Sequence, residues 1–392
     1  MIYLDNSATT KQHPQVTEVM VRCMEEEFGN PSSLYQLGVD SEKRIKNARK
    51  SLLQEHPNHR LIFTSGGTEA DNMAILGTAK ALRRSGNRIV TTAVEHPAVL
   101  ECCKSLEKQG YEVIYVGVDK KCRLDLEQLE RAINDQTILV TMMHVNNEIG
   151  TIMPVEKVKH LMEQKHAPGL FHCDAVQSFG KMPLPGGADL ISVSGHKIYG
   201  PKGSGALFVR KGKLSSGKNI DVPPLILGGG QESGYRSGTE NVAAIAGLGK
   251  AAELMTACGD DEIKRLGQLR ELLRKRLEEG LEDITINSPE EIGAQAGMCC
   301  PVLLNVTFKG TRGEVLLHTL EQDGIYVSTG SACSSNKKGQ SHVLKAMGLA
   351  DKDIEGTIRF SLGIYNSEED IETAAAKTIE AVKRFRRLGS FR

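Results

Sequence analysis

The chain has 392 residues, of which 25% are charged and only 4% aromatic, with no tryptophan and with Lys plus Arg equal to Asp plus Glu at 49 each. That balance argues against a basic, aromatic-interleaved nucleic-acid face. The length exceeds one ordinary core and predicts more than one domain, with a small molecule or a protein as partner.

The amino terminus, MIYLDNSATTKQHP, lacks a basic region followed by a long apolar stretch. No run of about 18 uninterrupted apolar residues occurs, so a cytoplasmic protein without membrane contact is expected. The nine cysteines, at 23, 102, 103, 122, 173, 258, 299, 300 and 333, are odd in number and form no CxxC pair, which predicts reduced, mostly buried thiols. The pairs Cys102/Cys103 and Cys299/Cys300 lie in apolar stretches, where cysteine serves as a small hydrophobe. His56 and His59, in HPNH, read as an exposed loop and not as a metal site.

A polar helical stretch near 15–55 is interrupted by the turn signal FGNPSS. Strand-like runs follow in RLIFTSGG, RIVTTAVEH, YEVIYVGVD, TILVTMMHVNNEIG, LFHCDAVQ and DLISVSG, mostly separated by amphipathic stretches. This alternation predicts a mainly parallel, helix-covered sheet whose strand ends share one ligand-binding edge. From 243 a long helical stretch leads away, and strand-like ITIN, PVLLNVTF, IYVSTG and TIRFSLG follow. A helix opened by a capping box from Thr311 to Glu314 and a last helix after Asn366 complete a smaller α/β unit. The expected domains are 13–250, large, and 251–392, small, with 1–12 packing on the small one.

Chemistry-bearing residues sit just after these strands. In DLISVSGHKIYGPKGSG a buried strand delivers Lys197 into a glycine-punctuated, proline-stiffened turn, which suits a desolvated amine and imine chemistry with a carbonyl cofactor; a solvated surface lysine is the bland alternative. In TSGGTEADNMAI the amides from Gly66 through Gly67 to Glu69, with the Thr68 hydroxyl, form a phosphate cradle or simply a tight strand-to-helix turn. GKLSSGKN has Asn219 where a phosphate loop needs Ser or Thr and is set aside. Asp174 and Gln177, in HCDAVQ, read either as a cap or as partners of a pyridine nitrogen and a ring phenolic oxygen. His96, in EHPAV, is placed to stack on a flat ring and relay protons, and Asn147, in NNEIG, to bind a ligand oxygen or form a turn. Arg359, in TIRFSLG, reads as a clamp on a substrate carboxylate or as a surface arginine. Cys333 stands in STGSACSSNKKGQS, small and polar, with Lys337 and Lys338 near enough in sequence to favour thiolate.

Taken in order, YLDNSATT, SGGTEADN, EHPAV, NNEIG, SGHKIYGPKG, GGGQESGYRSGTENV, GSACSS and RFSLG resemble the cysteine desulfurases, the NifS/IscS-like branch of the class V, fold-type I pyridoxal-phosphate enzymes, over nearly the whole chain. The resemblance implies an α/β fold with a seven-stranded, mainly parallel sheet covered by helices, plus a smaller α/β domain. It implies that Lys197 bonds pyridoxal 5'-phosphate, that Asp174 pairs with the pyridine nitrogen and Gln177 with the phenolate, and that His96 stacks on the ring. It further implies that Thr68, Ser194 and His196 hold the phosphate, joined by Thr239 from a second subunit of a homodimer, and that Asn147 and Arg359 bind the carboxylate of L-cysteine. Cys333 would take the sulfur as a persulfide, release alanine, and pass sulfur to an iron-sulfur scaffold or a tRNA-thiolation protein.

The chain departs from housekeeping members in ending soon after RFRRLG, without the extension that docks a scaffold protein, which leaves the acceptor open, and MCCP at 298–301 has no functional account. The competing readings are a selenocysteine lyase, another class V lyase or aminotransferase, and a non-catalytic assembly partner. The thiol in GSAC and an intact Lys197 favour sulfur transfer.

Overall fold

The computed structural model describes residues 1–54, 56–214, 217, 219–329 and 340–389. In chain order its elements are β1 (Ile2–Tyr3), α1 (Pro14–Glu25), α2 (Gln36–Leu53), β2 (His59–Thr64), α3 (Gly67–Leu82), β3 (Arg88–Thr92), α4 (Pro97–Glu107), β4 (Glu112–Val116), α5 (Leu126–Ala132) and β5 (Thr137–Met143). There follow α6 (Val155–Gln164), β6 (Leu170–Asp174), β7 (Leu190–Ser194), β8 (Gly205–Arg210), α7 (Val242–Gly280), β9 (Ile284–Ile286), β10 (Leu303–Phe308) and α8 (Gly313–Gln322). The last are β11 (Ile325–Tyr326), β12 (Ser328–Thr329), α9 (His342–Ala346), α10 (Asp351–Glu355), β13 (Thr357–Ser361) and α11 (Glu368–Arg387).

The large sheet runs β2-β8-β7-β6-β5-β3-β4, and β8 alone is antiparallel to its neighbours β2 and β7. The mainly parallel, helix-covered sheet expected from the alternation is therefore present. Its seventh strand, GALFVR, follows the glycine-rich turn so closely that periodicity does not separate it. β5, β6 and β7 are buried along their whole length, as strands covered on both faces must be. α3 lies across β8, β7, β6 and β5. Ala70, Ala74, Gly77, Thr78 and Ala79 are all buried, and a Cβ on Gly77 would lie 2.5 Å from Val222 Cγ1, so small residues set how closely this helix sits. Because β3, β5, β6 and β7 are parallel, the residues after Thr92, Met143, Asp174 and Ser194 converge on one edge.

A second sheet, β12-β13-β10-β9, is antiparallel, and β1 pairs in parallel with β11. α7 spans both regions. Ile245, Leu248, Ala251 and Met255 join the core of the large sheet, whereas Leu266, Leu269, Leu273 and Leu277 join that of the small one. The change falls at a kink at Gly259 (φ 66, ψ −174). By length and composition α7 is apolar enough to cross a membrane, but half of its apolar window is buried in the fold, where the helix packs on α1 and α2.

Two local expectations are corrected. The capping box from Thr311 to Glu314 does not form: Arg312 is the N-cap of α8, and the Thr311 hydroxyl donates to Phe308 O at 2.7 Å instead. A true capping box opens α11, between Ser367 and Asp370. His59 is not in an exposed loop; it begins β2 and is buried, with Nε2 3.4 Å from Ala188 O.

Candidate active site

At the carboxyl edge of the large sheet lies a cavity of about 290 Å³. Gly67, Thr68, His96, Asn147, Asp174, Gln177, Ser194, His196, Lys197 and Arg359 all line it, which brings together ten of the twelve residues singled out in the sequence. Each arrives for a local reason. Gly67 and Thr68 open α3, whose first N–H groups have no intrahelical partner and face an anion readily. A Cβ on Gly67 would lie 2.8 Å from Val176 Cγ2, so this wall is bare backbone by necessity. His96 is the N-cap of α4, its Nδ1 accepting from Ala98 N–H at 3.1 Å, and Pro97 starts the helix. β7 ends at Ser194, and one 3-10 turn, Gly195–Lys197, swings the lysine into the cavity. Two residues on, Tyr199 adopts φ +63, which its bulk disfavours; its N–H donates to Thr10 Oγ1 at 2.7 Å, and its hydroxyl accepts from Ile364 N–H at 2.9 Å.

The fourth wall was missed in the sequence. It is the amino-terminal run Asp5–Thr10. Lys197 Nζ donates to Ser7 O at 2.5 Å and to Ala8 O at 2.7 Å, Gln177 Nε2 donates to Ser7 O at 3.0 Å, and His196 Nδ1 lies 3.2 Å from Thr9 Oγ1. Arg359, carried by β13, donates from Nη2 to Asp5 Oδ1 at 2.7 Å and from Nη1 to Asn147 O at 2.9 Å. A polar run, DNSATT, placed directly after a short strand, is the signal that marks this segment. Asp71, in the second turn of α3, was missed as well. It lines the cavity and is buried, and its Oδ1 makes no hydrogen bond, with His172 Nε2 3.6 Å away.

Burial dominates the electrostatics. It pushes the Asp174 carboxyl up to about 6, although Val176 N–H, at 2.9 Å from Oδ1, and the Lys197 charge pull the other way. Burial, and then the charge of Asp174, push Asp71 well above the ordinary carboxylate range. His96 and His196 are each held down to about 4, by burial first and by Lys197 second, so both rings are neutral at neutral pH. Behind them, burial raises Glu95 to about 8 while its oxygens accept from Met143 N–H and the Thr92 hydroxyl.

Two expected residues are not in this cavity. Thr239 lines a neighbouring one of about 240 Å³, with Ser65, Ser204 and Arg236, and Arg236 Nε donates to Glu69 Oε1 at 2.9 Å. Cys333 lies outside the described residues. Cys299 and Cys300 are packing groups: Cys300 N–H donates to Gly150 O at 2.8 Å, Cys299 bridges Thr151, and both thiols are buried and pushed up by burial.

An anion-binding helix start, a buried carboxylate, a neutral imidazole and a lysine amine around one cavity are complementary to a phosphorylated pyridine aldehyde. The class V aminotransferase family profile matches residues 2–373, and the chain belongs to that family. It is 43% identical over 375 residues to the cysteine desulfurase IscS of Dictyoglomus turgidum, covering 94% of this chain and 91% of that one. It is equally 43% identical over 392 residues to the cysteine desulfurase IscS of Methanosarcina thermophila, covering 99% and 93%. Among solved structures, a NifS-like protein superposes with a TM-score of 0.88 at 36% identity, over 98% of this chain and 99% of that one. Within the family the chain is thus a pyridoxal-phosphate-dependent cysteine desulfurase of the NifS/IscS-like branch.

Proposed function

We propose that Lys197, Asp174, His96, Asn147, Arg359 and Cys333 carry the removal of sulfur from L-cysteine in this chain. The observation that supports this most is the meeting of the first five around one cavity. The start of α3 at Gly67 and Thr68, with Ser194 and His196, would hold the phosphate, Asp174 the pyridine nitrogen, Gln177 the phenolic oxygen and His96 one ring face. Pyridoxal phosphate, when bound, supplies an aldehyde for an amine and a sink for negative charge at the substrate's α-carbon. Arg359 and the Asn147 amide bind the α-carboxylate. Lys197 takes the α-proton, for which a neutral amine is required. The Cys333 thiolate attacks the substrate sulfur: an S–S bond forms, the C–S bond breaks with its electron pair going to carbon, and the protonated carbon fragment leaves as alanine.

Two cores support a large and a small domain, at 13–250 and 251–392, although the change of core along α7 falls nearer Gly259; 1–12 joins the small domain through the β1–β11 pair and the bridge from Asp5 to Ser361 on β13. The exposed Phe28, Leu34, Tyr35 and Leu227 support a homodimer, in which Thr239 of one copy reaches the phosphate of the other. The acceptor is a protein of iron-sulfur assembly or tRNA thiolation. A cytoplasmic location is supported by the eight free cysteines among the described residues.

Purified protein given L-cysteine and a reductant tests the roles. Wild type shows the cofactor's visible colour and releases sulfide and alanine. Cys333→Ser keeps the colour and loses sulfide, and Lys197→Ala loses both the aldehyde-linked colour and sulfide. Full sulfide release from Cys333→Ser would overturn the assignment of the thiol.

A further inference from the structure

The cavity's arginine is held in an unusual way. Arg359 is only 4% exposed; Nη2 donates one N–H to Asp5 and Nη1 one to the Asn147 carbonyl, and Nε is buried without a partner. A guanidinium is planar, so fixing Nη1 and Nη2 fixes the direction of Nε. A buried N–H left unpaired is unfavourable until an acceptor arrives, and a carboxylate is the acceptor a guanidinium fits best. Asp5 itself is fixed from behind. It bridges Ser361, on the strand that carries Arg359, Ser7 N–H donates to Ser361 Oγ at 2.9 Å, and the Tyr3 hydroxyl lies 3.1 Å from Asp5 O and 2.8 Å from Thr9 O.

We infer that Asp5 is a positioning residue for substrate recognition: its carboxylate balances the buried charge of Arg359 and aims the guanidinium, leaving the N–H groups that Asp5 and Asn147 do not engage, Nε among them, for the α-carboxylate of the amino acid substrate. This role rests on Arg359 binding that carboxylate, as proposed above. It makes the amino-terminal run a part of the specificity site, although the run lies over 350 residues away in sequence.

The test uses the holoenzyme with Asp5→Ala, Asp5→Asn, Arg359→Ala and the double variant Asp5→Ala/Arg359→Ala. It measures KM and kcat for L-cysteine and the equilibrium binding of two probes: L-alanine, and cysteamine, which is cysteine without its carboxylate. Asp5→Ala should raise KM about tenfold, leave kcat within about threefold, and weaken L-alanine by the same factor as KM. Cysteamine binding should stay as in wild type, a split that general loosening of the fold would not produce. The double variant should bind L-alanine no more weakly than Arg359→Ala alone, because the two residues act as one unit. Should Asp5→Ala not fold, Asp5→Asn, which keeps an acceptor oxygen without the charge, shows the same pattern at several-fold. If Arg359→Ala weakens L-alanine while the Asp5 variants bind it as wild type, or more tightly, the inference about Asp5 is overturned and the role of Arg359 stands. If Arg359→Ala binds L-alanine as wild type does, the carboxylate reading of Arg359 falls first and takes the role of Asp5 with it.

Discussion

The amine of Lys197 is 2.5 Å from the carbonyl oxygen of Ser7 and 2.7 Å from that of Ala8. Both carbonyls accept from the amine, so in the cofactor-free chain they tether the lysine to the amino-terminal run. The cofactor aldehyde must draw the amine away from them. After borohydride reduction and unfolding, wild-type holoenzyme should therefore carry the cofactor covalently on the peptide containing Lys197, and Lys197→Ala should carry none. Mass spectrometry of the digested protein reads this directly, and a reduced adduct on any other lysine of the wild type would refute the assignment.

Asp174 gives a pH-dependent prediction. Burial raises its carboxyl to about 6 in the cofactor-free fold, above the unfolded value of 3.8. The fold thus prefers the protonated acid. The stability that protonation contributes is complete below the unfolded value, declines as pH rises between the two values, and is gone above about 6. By linkage the cofactor-free protein at pH 7.5 then holds a buried charge that costs about 3 kcal/mol. Asp174→Asn removes that charge. The cofactor-free variant should be more stable than cofactor-free wild type by up to about 3 kcal/mol at pH 7.5, with the gain shrinking below pH 6 and vanishing near 4. Urea midpoints at three pH values measure this, and a gain independent of pH would contradict it. With cofactor present the order should reverse, since the pyridine nitrogen then loses its counter-charge.

The sheet and most of its site were legible because strand ends in a parallel sheet share one edge. Lys197, Asp174, His96 and Asn147 each follow an apolar run, and knowing the edge is enough to gather them. Asp5 and Ser7 follow β1, a strand of only two residues in another sheet, and reach the cavity because β1 pairs with β11 and Asp5 bridges Ser361. No local pattern encodes that path. Asp71 was hidden for the opposite reason: in EADN it sits on a helix and looks like one more polar surface residue, and only the depth of α3 in the fold makes it buried. The false capping box at Thr311 shows the limit of motif spacing, since Phe308 O satisfies the hydroxyl before the helix begins.

Gly205 tests whether the start of α3 is a phosphate cradle. It begins β8 where that strand passes the turn before α3, and a Cβ there would lie 2.7 Å from both Cα and C of Gly66. That is backbone against backbone, so Gly205→Ala must displace the first turn of the helix. The affinity of cofactor-free protein for pyridoxal phosphate should fall about tenfold, as expected when aligned donors shift. Gly203→Ala is the control. Gly203 has φ +76 with open space around its Cβ position, so alanine there should cost about 1 kcal/mol of stability and leave the affinity unchanged. Fluorescence titration separates the two, and equal affinities for Gly205→Ala and wild type would remove the helix start from the phosphate site.

Ser341 and Glu148 join the chain that follows residues 330–339 to the loop after β5. The Ser341 hydroxyl donates to Glu148 Oε2 at 2.5 Å and accepts from Leu344 N–H at 3.1 Å, so one side chain satisfies a buried carboxyl and caps α9. Burial raises the Glu148 carboxyl, and the Ser341 hydrogen bond opposes that rise. Beside them, His342 Nε2 lies 2.9 Å from Glu95 O, and Glu148 O accepts from Asn305 Nδ2 at 3.1 Å. Ser341→Ala leaves a buried carboxyl without its donor and a helix without its cap, losses of about 1–3 and about 1 kcal/mol. Some overlap is expected, so the variant should lose about 2–3 kcal/mol in urea unfolding, whereas Ser341→Thr, which keeps the hydroxyl, should lose under about 1 kcal/mol. The deficit should also shrink on acidification, because a protonated Glu148 needs its donor less than an ionised one does. A variant with wild-type stability at neutral pH would mean that the Ser341 hydroxyl does not hold this end of the chain against the large sheet.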